Sequence, residues 1–248
     1  MGSRDPVTTE GATAAESGLQ RMFTTVPRRY DLLNRVLTFG IDQRWRQRAA
    51  AACLFDHPRR VLDLCSGTGD LAVLLAHRAD PGAAIVAADF CAPMLEVARR
   101  KAAAAGVEQR IEFRVADAAS LPFPDGSFDA VGIAFGFRNL TWKNPARERH
   151  LSEVHRVLAS GGRFVVVETS RPRSALLRGG FDAYFAALVA PLGGLISGQA
   201  GAYRYLAQSA RGFYRPEALA NLLRAAGFRD VEHRPLLGGI AALHVTVR

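Results

Sequence analysis

The hydrophobic and polar positions alternate between two rhythms along the middle of the chain. Short apolar runs, with the length and β-branched content of buried strands, occupy Arg59–Leu64, Ala84–Asp89, Ile111–Ala116, Phe128–Phe135 and Arg163–Thr169. Between them lie stretches with helical spacing: Gly69–Arg78, Pro93–Ala105 closed by Gly106, and Arg147–Leu158 ended by the turn Ser160-Gly161-Gly162. Strands alternating with helices predict parallel pairing through right-handed crossovers.

The last third changes character. Ser174–Gln208 reads as helical, apolar and glycine-rich, and Pro216–Ala226 as an amphipathic helix capped by Gly227. Val231–Pro235 and Ala241–Val247 read as two final strands, and the short link through Gly238-Gly239 favours antiparallel pairing. The expectation is an α/β, Rossmann-like seven-stranded sheet with a terminal antiparallel hairpin. This is the plan of class I methyltransferases dependent on S-adenosylmethionine (SAM). In domain terms, residues 1–18 read as a polar flexible tail and 19–248 as one domain, with 19–55 as an N-terminal helical lid.

Composition narrows the classes. At 248 residues, 49% hydrophobic and 22% charged, the chain is an ordinary globular one. Three cysteines without a Cys-x-x-Cys pair, and histidines that do not cluster, argue against a disulfide framework and predict no metal site. The polar N-terminal residues lack the apolar core of a signal peptide. The most apolar stretch, Ala183–Gly198, is broken by Pro191 and Gly193-Gly194 and reads as too interrupted to span a bilayer. A cytoplasmic location follows. The net charge of +9 suits an anionic partner or a dispersed basic surface. With no basic block of a nucleic-acid module, no nucleic-acid partner is expected.

The sharpest signal is Asp63-Leu64-Cys65-Ser66-Gly67-Thr68-Gly69-Asp70, between a strand and a helix. Glycines 67 and 69 allow a tight turn and close approach to a ligand, and helix N-terminal amides face it. A dinucleotide loop has a similar pattern, and Asp89 stands at a fitting distance. The acids decide between the readings. Asp63, at the end of the first strand, suits an ammonium and repels a pyrophosphate. Asp89 ends the second strand and can take a ribose diol. Asp117, beside Ala118, follows the third strand and can accept from an adenine amine. Together with Gly67, Thr68 and Gly69 they describe a SAM site, although any one of these aspartates alone could be a cap or turn residue.

The flanking segments carry a family resemblance. Tyr30-Asp31-Leu32-Leu33-Asn34, Thr38-Phe39-Gly40 and Trp45 look like one signature of the UbiE/MenG family of quinone-biosynthesis C-methyltransferases. Arg156-Val157-Leu158, Gly161-Gly162 and Glu168-Thr169-Ser170 look like its second. Phe135-Gly136-Phe137-Arg138-Asn139, Tyr203-Arg204-Tyr205-Leu206 and Ala242-Leu243-His244 are similar to further family segments. Departures are Leu33, Thr38, Asp42, Ala159 and Ser160; Asp42 stands where the family usually has histidine, near the substrate entrance.

The resemblance implies methyl transfer to a ring carbon of a polyprenyl quinol, with demethylmenaquinol first and a polyprenyl methoxybenzoquinol of ubiquinone biosynthesis as the alternative. A methyltransferase of another small molecule and a non-catalytic SAM-binding protein are the remaining readings. It implies catalytic roles for Arg138, as stabiliser of a phenolate, and for Asn139, which orients ring oxygens. Tyr30, Tyr203 and His244 are candidate substrate contacts. The apolar Phe181–Ile196 stretch would line a tail groove or touch the bilayer. The arm Arg21–Arg48, with seven arginines, would form a basic amphipathic lid at the inner face of the membrane.

Overall fold

A computed structural model describes residues 35–36, 38–197 and 200–248. Tyr30, the predicted tail and most of the basic arm lie outside the described residues. Seven strands form one sheet in the order β3-β2-β1-β4-β5-β7-β6. They are β1 (Arg60–Leu64), β2 (Ala84–Asp89), β3 (Ile111–Val115), β4 (Phe128–Ala134), β5 (Leu158–Thr169), β6 (Arg229–Leu236) and β7 (Ala241–Val247). The first five pair in parallel, and β7 joins both β5 and β6 antiparallel.

The helices α1 (Ile41–Cys53), α2 (Asp70–Arg78) and α3 (Ala92–Ala104) belong to the N-terminal half. They are followed by α4 (Phe137–Thr141), α5 (Arg147–Val157), α6 (Ala175–Tyr184), α7 (Ala190–Ser197), α8 (Ala200–Gly212) and α9 (Pro216–Ala225). The central strands bury both faces, which is why they read as continuous apolar runs. Leu62, Val131, Phe164 and Val166 pack toward α4, α5 and α9. Their neighbours Val61, Ala130, Val165 and Val167 pack toward α1 and α2, as the period of two requires. Gly132 lies on this second face, where a Cβ would stand 2.9 Å from the Cys53 sulfur and 3.1 Å from a Leu71 methyl.

Three sequence expectations need correction. The turn Ser160-Gly161-Gly162 is not a break before the fifth strand: β5 runs through it from Leu158. The extra residues are absorbed where the β4–β5 register shifts between Phe128 and Ala130, with Gly161 at φ 77°. The short helix α4, which carries Arg138 and Asn139, was not predicted, because five residues give too little periodicity. The apolar C-terminal run is not interrupted at Pro191. A π-turn over Phe185–Val189 joins α6 to α7, and Ala175–Leu195 is one helix long and apolar enough to cross a membrane. Proline removes a donor and crowds the carbonyl four residues back, and the wider π-turn just before Pro191 accommodates it. This helix and α8 form a third apolar cluster around Phe181, Phe185, Val189 and Tyr203.

Candidate active site

From β1 the chain steps outward to β2 and β3, then crosses back to β4 and β5. The order therefore reverses between β1 and β4, and a crevice opens there at the carboxyl ends of the strands. Two loops face each other across it. The loop after β1 turns sharply, with Cys65, Gly67 and Gly69 all at positive φ. The segment after β4 does the same at Phe135 (φ 64°). The two touch so closely that a Cβ on Gly136 would lie 2.6 Å from the Cβ of Cys65. Glycine is required there by contact with the neighbouring loop.

On the β1–β2 side, Asp63 is buried and accepts a hydrogen bond of 2.7 Å from the Ser66 hydroxyl. Burial pushes its carboxyl up to about 7, against the lowering effects of Ser66 and Arg46. Asp89 accepts from the amides of Gly67 (2.8 Å, Oδ2) and Cys91 (2.9 Å, Oδ1), and its carboxyl is also raised by burial. The Phe90 amide also donates to this carboxylate, which leaves about one lone-pair position for an outside donor. Gly69 packs against α3, where a Cβ would stand 2.7 Å from that of Ala98. Asp117 is exposed and accepts from the amide of Ala119 (2.8 Å), with Ala118 buried beside it. Thr68 is buried, and its hydroxyl accepts from Lys101 at 3.3 Å. Burial raises the Cys65 thiol well above its ordinary value, so it supplies no thiolate.

The donor set fits SAM. A buried carboxylate at Asp63 calls for a cation. The Asp89 carboxylate keeps an acceptor position for a ribose hydroxyl. The glycines leave room for close backbone approach.

On the β4–β5 side lies a cavity of about 570 Å³. Its wall is mainly apolar, from Phe181, Tyr184, Phe185 and Val189 on the long helix, Leu206 on α8, and Trp45 on α1. Its polar groups are few: Asp42 and Arg46 on α1, Arg138 on α4, and Thr169 at the end of β5 among them. The Arg138 guanidinium is buried and donates to Glu168 (2.8 Å) and to the Thr169 hydroxyl (2.7 Å), while Glu168 also accepts from the Arg138 amide at 3.1 Å. The buried Nε of Arg138 has no protein partner.

Asp42 and Arg46 are the residues that sequence reasoning passed over as site groups. Asp42 is buried, accepts from Thr38 (2.8 Å) and Gln43 (3.0 Å), and lies 3.5 Å from Arg46. It is the one carboxylate on the cavity wall among the described residues. Arg46 also reaches Asp70, 3.7 Å away, at the start of the helix that follows the glycine loop. Burial pushes Asp70 up, and Arg46 with Lys101 more than reverse this, holding it below the ordinary carboxylate range. The signal that could have found Asp42 was its place as a departure in a family signature.

The other predicted contacts lie elsewhere. Asn139 sits on α4 outside the cavity wall, and its carbonyl accepts from Asn144. Tyr203 is buried in the helical cluster, its ring against Gly193. His244 faces α9, donates from Nε2 to the Pro216 carbonyl at 2.9 Å, and is driven by burial down to about 4, so it is neutral.

Residues 12–248 match the model of the ubiE/COQ5 methyltransferase family. The chain belongs to this family. It is therefore a methyltransferase, with SAM as methyl donor. It is 53% identical over 224 residues to a demethylmenaquinone methyltransferase of Thermus thermophilus, covering 90% of this chain and 98% of the relative. It is 42% identical over 226 residues to the ubiquinone/menaquinone biosynthesis C-methyltransferase UbiE of Geobacter sulfurreducens, covering 91% and 86%. Among solved structures, human N-acetylserotonin methyltransferase in complex with SAM superposes with a TM-score of 0.64 at 19% identity, over 95% of this chain and 60% of that one. That likeness concerns the fold.

Proposed function

We propose that the chain methylates a ring carbon of a polyprenyl naphthoquinol, demethylmenaquinol, in the cytoplasm. The observation that carries this reading is the cavity: an apolar chamber whose few polar groups include Arg138, Asp42 and Arg46, beside the switch point where the cofactor loop ends. A flat ring with two hydroxyls fits the polar groups, and a hydrocarbon tail fits the wall. The names of the Thermus and Geobacter relatives support the same substrate class. The Geobacter name also favours a second reading, a polyprenyl benzoquinol.

Asp63, Gly67, Thr68, Gly69, Asp89, Asp117 and Ala118 would hold the cofactor. Bound SAM supplies an electrophilic methyl group. A quinone ring is too electron-poor to attack it, so the reduced quinol is the substrate. Arg138 stabilises the oxygen that gains negative charge, and its orientation is fixed by Glu168 and Thr169. A guanidinium is no base, since its pKa exceeds about 12. We assign the hydroxyl proton to the Asp42 carboxylate, kept beside Arg46. The electrons of the broken O–H bond feed the ring and make its carbon nucleophilic toward the methyl group that a bound SAM would supply. The proton on the same carbon would then be lost to solvent as aromaticity returns, and Asp42 would return its proton to the ring oxygen. The cavity walls would hold that ring carbon in place for attack. Asn139 acts in this scheme through α4, as a positioning residue.

The test is transfer of labelled methyl from SAM to pre-reduced demethylmenaquinol, with a polyprenyl benzoquinol and total RNA in parallel. Label in the naphthoquinol is expected. Label only in the benzoquinol would move the assignment to the second reading, and label only in RNA would overturn both.

A further inference from the structure

The helix Ala175–Leu195 has the length and hydropathy of a membrane-crossing segment, yet only 17% of its apolar stretch is buried in the protein. Its two sides differ. Phe181, Phe185 and Val189 point inward, onto the cavity and α8. Leu188, Leu192 and Leu195 point outward and are 38%, 40% and 81% exposed. A core helix would have a protein layer over those leucines. A spanning helix could not commit its inner face to a substrate cavity and a soluble domain.

The outward side continues to the cavity rim, where Leu176 is 85% and Phe39 79% exposed. Basic residues outnumber acids in this part of the chain, although Arg173 is paired with Glu217. From Arg171 to Arg211 the sequence carries five arginines and one carboxylate, Asp182. Asp182 is already paired with Arg171 and Arg211, 3.1 and 3.3 Å away. Arg204 is exposed on α8.

We propose that Ala175–Leu195 lies in the plane of an anionic lipid bilayer, docking the cavity rim on the membrane so that substrate enters from the lipid side. An apolar face flanked by arginines matches hydrocarbon bordered by negative headgroups. The proposal rests on the polyprenyl quinol reading for its purpose, and on the exposed leucines and the charge for its geometry.

The test uses the full chain with vesicles of phosphatidylcholine, with and without phosphatidylglycerol, scored by co-sedimentation. Two variants lie outside the site: Leu192→Glu combined with Leu195→Glu, and Arg204→Glu. The unmodified chain should pellet with the anionic vesicles. The leucine variant should lose binding by about tenfold or more, and Arg204→Glu by a few-fold, since each arginine near an anionic surface contributes modestly. Both variants should keep turnover of a short-tailed, water-soluble quinol and lose turnover of long-tailed quinol held in vesicles. Failure of the short-tailed assay in the unmodified chain would sink the substrate reading and leave the binding result standing by itself. The docking is overturned if the unmodified chain ignores anionic vesicles while methylating the short-tailed quinol. It is also overturned if the leucine variant binds vesicles undiminished. A dimer in solution that the leucine variant dissolves would make a second copy the occupant, and vesicle binding that appears only once residues 1–34 are removed would make that segment the occupant; either result overturns the docking.

Discussion

The glycine-loop side and the cavity side of the crevice are made of different materials. The first is backbone: three residues at positive φ, two carboxylates at strand ends, and a glycine pressed against Ala98. The second is side chains on helices, an apolar wall with a few charged groups set into it. A backbone site tolerates almost no substitution, whereas a helical wall can exchange one apolar residue for another at modest cost. The two sides meet at the contact of Gly136 with Cys65 and along the Asp42–Arg46–Asp70 chain. The contrast implies that mutations will separate into losses of cofactor binding and losses of turnover.

The largest effect is expected at Arg138. Arg138→Lys keeps a charge and loses the paired contacts to Glu168 and Thr169, so kcat should fall about 10²- to 10³-fold. Cofactor affinity measured by calorimetry should stay within about twofold of the unmodified value. Asp89→Ala should do the converse. Losing a charged acceptor for a ribose hydroxyl should weaken SAM binding by roughly 10- to 100-fold. Gly136→Ala breaks the junction itself, since its Cβ has no room beside Cys65. Thermal unfolding should report a loss of about 1–3 kcal/mol.

A smaller effect is pH-dependent. The Asp63 carboxyl is raised to about 7, so the folded state holds a proton that the unfolded state releases near 4. The stability this gives is fully present below the unfolded value and is lost as pH rises through about 7. A cofactor ammonium pairs only with the ionised carboxylate. SAM affinity should therefore rise several-fold from pH 6 to 7.5, and Asp63→Asn should flatten that profile. The smallest effect is expected from Phe39→Ala at the exposed rim. KM for a long-tailed quinol should rise a few-fold, with stability unchanged within about 0.5 kcal/mol.

The same contrast explains what could be read in the sequence. Strand periodicity and the order of elements are local properties, and they gave the parallel core and the terminal hairpin. The tight turn at Gly67 and Gly69, with Asp63 and Asp89 at the strand ends beside it, was legible because a turn between a strand and a helix sets its residues at fixed offsets. The cavity was not legible in that way. Asp42 and Arg138 are 96 residues apart in number and reach one wall only through the packing of α1 and α4. Tyr203 and His244 looked like site residues by resemblance, but their surroundings are the helical cluster and α9. Pro191 predicted a helix break by a sound local rule, and the π-turn before it is a tertiary accommodation that no local rule supplies.

The most direct test of the divided crevice pairs calorimetric SAM binding with single-turnover methyl transfer to a reduced naphthoquinol, for Arg138→Lys and Asp89→Ala side by side. Intact binding with collapsed transfer is expected for the first. Lost binding is expected for the second, with transfer restored toward normal at saturating SAM. Lost binding in Arg138→Lys together with normal binding in Asp89→Ala would contradict the division.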